Sequence, residues 1–131
     1  MRRFLPLLLL LSCSSPSQEE LTQRALAAAS REAEMAYTDL LSSHYEAFLD
    51  RKAGADTLKP DYRSQLLDAC RQTMAAQQHA HKGIAGFHVS DARMDSASHL
   101  AQVFILIEYG DSTQEEVLVP MVEHHGRWMM K

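Results

Sequence analysis

The side chains able to do chemistry are easy to find in this chain, and most are badly spaced for it. Seven histidines raise the question of a metal. His79 and His81 stand two residues apart in a helical stretch, so they do not share a face. His124 and His125 are neighbours at a strand end and point to opposite sides. Neither pair has the spacing of a zinc motif, and no cysteine pair completes one. No metal and no cofactor is expected. The sequence carries no Gly-rich phosphate loop, no nucleophile elbow and no His-Glu-x-x-His motif. His44 stands apart, because it falls on an apolar stripe with Tyr37, Leu40, Leu41 and Phe48 at helical spacing. It is either a boundary residue with its ring nitrogens satisfied or a group facing a pocket. Cys70 lies beside Leu66 and Ala69, where burial as a small hydrophobe is expected. A reactive thiol would need a positive, accessible setting.

The elements that must position these groups read as helices first and strands afterwards. Ser17-Gln18-Glu19-Glu20 has the capping-box pattern, with Ser at the N-cap and Glu three residues on. Residues 18–51 contain neither Gly nor Pro and are rich in Ala, Leu and Glu, which predicts one long helix. Its first half, Leu21 to Glu34, has only a weak stripe and is expected to be a partly detached lead-in. Ala53-Gly54-Ala55-Asp56 breaks the chain. A second helix is predicted over 58–81, with Pro60 in its first turn, Lys82-Gly83 as its stop, and Tyr62, Leu66, Ala69, Cys70, Thr73 and Met74 on its inner face.

Strands are predicted from about 87 to 130: Phe87 to Met94, Leu100 to Tyr109, Glu115 to Glu123 and Arg127 to Met130. Short turns join them into an antiparallel meander. The fold class is therefore α+β, two N-terminal helices packed on a four-stranded antiparallel sheet. Both faces of the central hairpin are apolar. Val103, Ile105 and Ile107 oppose Phe104 and Leu106, and Val117, Val119 and Met121 oppose Leu118, Pro120 and Val122. A sheet covered on one side alone should alternate apolar and polar. One face takes the helices. The other, marked by Phe104, Leu106, Leu118 and Val122, must meet the N-terminal helix, a second subunit, a ligand or a partner protein. Pro120 cannot donate to a ladder and marks an edge or a bulge. Trp128, Met121, Met129 and Met130 are expected to pack the core.

The chain opens on Met1-Arg2-Arg3 and an apolar run from Phe4 to Leu11, the layout of a secretory signal and too short to span a bilayer. Leu10-Leu11-Ser12-Cys13 resembles the lipobox of bacterial lipoproteins, with Leu11 larger than the residue usual at that place. The resemblance implies a signal peptide over 1–12, cleavage before Cys13, lipid on that cysteine, and a short tether over 13–17 ahead of a single domain over 18–131. Several acyl chains give stable anchoring. Ser14, where Asp would signal inner-membrane retention, favours the outer membrane, on its periplasmic side or at the surface. Gln18-Glu19-Glu20 loosely resembles acidic surface-export signals. Cleaving twelve of the 131 residues leaves 119, enough for a modest core. The formal charge is −4, and −6 without Arg2 and Arg3. Such an acidic chain is no candidate for nucleic acid or for a polybasic membrane contact.

The segments Val103 to Asp111, Glu116 to Val122 and His125-Gly126-Arg127-Trp128-Met129-Met130-Lys131 resemble the close of nuclear transport factor 2-like and cystatin-like domains. Small lipoproteins of Gram-negative bacteria are among those domains. The resemblance implies a curved, cone-shaped sheet whose concave face holds helices. The two-helix lead-in departs from the three helices of many members. The fold hosts enzymes, dimerisation modules and binding domains alike. Its enzymes place an acid–base residue inside the cone, and here His44 with Asp91 would supply the pair, with Tyr37 or Tyr62 polarising a carbonyl. Two functions follow as expectations. The first is a non-catalytic binding or protein-interaction domain at the cell envelope, anchored through Cys13, with a homodimer or an envelope protein as partner. The second is a small-molecule or isomerase-like pocket built on His44. The first is the stronger, since so few titratable groups fall on inward faces.

Overall fold

The computed structural model of the chain describes residues 15–131. Cys13 and the leader lie outside the described residues. Helix α1 runs Gln18–Leu41, α2 Tyr45–Asp50 and α3 Pro60–His81, with a 3-10 turn at Ala55–Thr57. The strands are β1 Ile84–Asp95, β2 Leu100–Tyr109, β3 Gln114–His124 and β4 Arg127–Met130. They form one antiparallel meander in the order β1-β2-β3-β4. Among the described residues no helix is long and apolar enough to cross a membrane.

Helix α1 starts where its cap dictates: Ser17 Oγ accepts the Glu20 amide at 3.2 Å, and Glu19 and Glu20 lie in the first turn. The expected single helix over 18–51 is broken. Ser43 turns to a φ of 62° and His44 begins α2. Two serines at this point compete for the backbone and favour such an end. The first half of α1 is not a detached lead-in either. Leu26, Ala29, Ala33 and Ala36 are buried against the sheet. Their small side chains make a weak hydrophobic signal, and the same smallness lets the helix axis approach the strands closely.

The inner face of the sheet is Ala101, Val103, Ile105, Ile107 and Tyr109 of β2, with Val119 and Met121 of β3 and Met130 of β4, all buried. The register sets Val103 opposite Val119 and Ala101 opposite Met121. Curvature enters through β1, whose register against β2 shifts at Ile84/Gly86 and at Val89/Asp91. Helix α3 packs less than its predicted inner face implied. Only Leu67 is buried, Leu66, Cys70 and Met74 are half-buried, and Tyr62, Ala69 and Thr73 are exposed.

Arg51 locks the helical layer. Its guanidinium donates to Asp39 at 2.7 Å and Glu32 at 3.0 Å on α1. Its carbonyl accepts the Met130 amide, and Ala53 donates to the Met130 carbonyl, so the segment after α2 runs beside β4.

Candidate functional site

The four residues proposed for acid–base chemistry do not converge. His44 begins α2 at the joint between helices, its side chain 67 % exposed and 4.0 Å from Asp39. Asp91 lies on the outer face of β1, opposite Phe104, where it accepts from Arg93 at 2.8 Å. Tyr62 is 52 % exposed on α3. Only Tyr37 is turned inward, packed on Phe48 and Phe87. Burial, with Glu115 nearby, raises its hydroxyl pKa. The helix break explains the displacement of His44: the stripe through Tyr37, Leu40 and Leu41 ends at Ser42, and residue 44 starts a new axis.

Two surfaces are left for binding. The first is the outer sheet face. Phe104 and Leu106 are half-buried by their neighbours, Val122 likewise, and Leu118 is 49 % exposed. The helices pack on the opposite side from Phe104 and Leu106, while Leu118 and Val122 lie at the borders of the patch, Leu118 on a cleft shared with α3 and Val122 beside the start of α1. The rim is polar. The Arg93 guanidinium stacks 5.4 Å from the Phe104 ring centre. Ser90 donates to the Phe104 carbonyl and the Glu116 carboxylate, both at 3.2 Å.

The second is a cleft of about 380 Å³ between the helices and β3. Leu40 and Phe48 line it from one side, Leu66 and Cys70 of α3 from another, and Leu118 and Pro120 from the strand. Its charged side chains are those of Lys52 and Lys131. Burial pushes the Cys70 thiol up in pKa, and the cations of Arg71 and Lys52 partly offset this. The thiol is half-buried rather than buried as expected, and its raised pKa is the opposite of what a nucleophile needs.

A polar clasp closes the far end of α3. His81 Nδ1 lies 3.0 Å from Asp111 Oδ2, and its ring stacks on Tyr109 at 4.5 Å. Backbone bonds join Asp111 N to the His81 carbonyl at 3.0 Å and Gly110 N to the Gly83 carbonyl at 2.9 Å. A Cβ on Gly110 would lie 2.3 Å from the Lys82 carbonyl oxygen, so only glycine allows the approach. Tyr109 donates its hydroxyl to Glu115. Burial first, then that carboxylate, pushes the phenol up to about 12. Hydrogen bonds from Thr113 and then His81 hold Asp111 down at about 2.

Among the described residues no group of three or more His, Cys, Asp or Glu could hold a metal ion. The sequence matches no family model and no curated protein. A solved structure does resemble the chain: a Campylobacter jejuni protein described as an NTF2-like transpeptidase, with a TM-score of 0.59 over 75 % of this chain and 92 % of that one. The fold is NTF2-like. At 10 % identity the likeness speaks of the fold alone. The third helix, missing from the two-helix expectation, is supplied by the break at Ser43. Sequence reasoning missed Lys52, Lys131 and the bare edge of β3. The one available signal was length: β4 has four residues against eleven in β3, so most of β3 must end as an edge.

Proposed function

We propose that this chain is a non-catalytic binding module of the cell envelope, held at a membrane by lipid on Cys13, and that its outer sheet face docks a protein partner, in the first place a second copy of itself. The observation that carries the reading is the apolar pair Phe104 and Leu106 on the sheet face away from the helical core, extended at its borders by Leu118 and Val122. A patch of this kind with a polar rim is the anatomy of an interface. Its rim pairs Arg93 with Asp91, charges of both signs that a two-fold contact can satisfy reciprocally. The dispersal of His44, Asp91 and Tyr62 removes the geometry an acid–base pocket would need, and so favours binding over the isomerase-like alternative.

The test is the mass of the purified chain in solution. A dimer is expected, and Leu106→Asp should convert it to a folded monomer, because it places a charge at the centre of the buried patch. A wild-type chain that stays monomeric at every concentration tried, with no change on Leu106→Asp, would reject self-docking.

A further inference from the structure

Strand β3 is paired on one side along most of its length and on the other only at its end. Its partners on β4 are Met121 to His124. Beyond them, the Lys131 amide donates to the Pro120 carbonyl at 3.0 Å. That bond fixes the orientation of the rest. In an antiparallel strand alternate residues turn both backbone groups to the same side. Leu118 and Glu116 therefore point their N–H and C=O away from β2, to the side where no strand lies. The bare run from Gln114 to Val119 is six residues, roughly 20 Å of strand. Helix α3 faces part of this edge across the cleft, and the cleft wall beside Leu118 is Leu66 and Cys70.

Beyond self-docking through the outer face, with which it shares only the border residue Leu118, we infer that this cleft receives an extended peptide, which adds to β3 as a fifth strand and brings an acidic side chain to Lys52 and Lys131. The bare backbone groups select an extended chain, since only a strand satisfies donors and acceptors at that spacing. The apolar walls take its inward side chains. Among the described residues the two lysine ammonium groups outnumber the α-carboxylate of Lys131 on this wall, and so favour an acidic residue at the Pro120 end. A second β3 is the poorer occupant: two-fold pairing of these edges sets Glu116 near its own copy, and like charges across a ladder repel. Pro120 ends the site, having no N–H to offer.

The test pans the full chain against displayed random octapeptides and resynthesises those enriched. They should alternate apolar residues and carry an acidic one. Methylating alternate peptide amides should weaken binding about tenfold, the worth of a hydrogen bond or two. Lys52→Gln and Lys131→Gln should each cost about threefold, as for exposed ion pairs. Hydrogen exchange at the Glu116 and Leu118 amides should be fast in the free chain and slow in the complex. Leu118→Pro removes one outward N–H and leaves the β2 ladder intact, so it should abolish binding; the methylated peptides carry the same test should that variant not fold. Methylated peptides that bind like their parents, or protection confined to Phe104 and Leu106 on the outer face, would overturn the inference. So would a cleft that saturates with oleate while no peptide is enriched. None of these outcomes bears on the Leu106→Asp result.

Discussion

At the scale of single residues, the sharpest electrostatic feature is Asp111 in the turn after β2. Thr113 and His81 donate to its carboxylate, in that order of weight, and its folded pKa is about 2 against an ordinary 3.8. The folded state therefore prefers the ionised form. The resulting stability is fully present above about pH 4 and is lost as pH falls toward 2. Asp111→Asn keeps an acceptor for Thr113 but has nothing to titrate. Its unfolding midpoint should lie below that of the wild type near neutral pH, and the gap should narrow between pH 4 and 2. A gap of constant size across that window would show that the turn geometry, rather than the charge, holds α3 to the hairpin. This clasp was invisible in the sequence because His81 and Asp111 are thirty residues apart and only the sheet brings them together. The outer-face residues were legible, since their alternation with Val103 and Ile105 is local. His44 was misplaced for a local reason too: a stripe read at constant helical period cannot register a change of axis.

At the scale of elements, the helical layer depends on one side chain. Arg51 lies between Asp39 and Glu32 of α1, while its own backbone is bonded to β4, so it ties helix to sheet through both. The three side chains are between 19 % and 31 % exposed, so solvent screens them only in part. Arg51→Ala should destabilise by about 1–3 kcal/mol, because it removes charge-assisted bonds and leaves two carboxylates without their shared cation. Arg51→Lys should recover less than half of that, since an ammonium cannot reproduce the fork that reaches both acids. Chemical denaturation of the three chains measures this, and full rescue by lysine would show that charge alone matters. Three strands were legible to within a residue, because alternation and turn residues are local signals, whereas β1 begins at Ile84, three residues before the expected Phe87. Helix α1 was not: Ala29, Ala33 and Ala36 read as a faint stripe, yet they are wholly buried. Hydrophobicity counts side-chain size, while close packing of a helix on a sheet rewards its absence.

For the whole molecule, the direction of the chain fixes an orientation on the proposed membrane anchor. The N-terminus of α1 lies beside the β1–β2 turn and β4: Gln18, Leu21 and Thr22 share a shallow cavity with Ser96, Ser98, His99 and Trp128. Lipid on Cys13 would leave only four residues before Gln18, a tether of roughly 15 Å at full extension. That end of the sheet is then held near the bilayer, while the clasp at Asp111 and the bare start of β3 point away from it. Such an arrangement leaves the edge of β3 open to soluble partners. Trp128 is the only tryptophan, so its fluorescence reports the tethered end without a label. Nitroxide-labelled lipids in vesicles should quench it in the full lipidated chain. Cys13→Ser should abolish the quenching, and so should a flexible insertion of some twenty residues after Ser15, which leaves lipidation intact. Quenching that persists in Cys13→Ser would mean the domain meets the bilayer by its own surface. Quenching absent from the lipidated wild type would mean that α1 stands the sheet off the membrane.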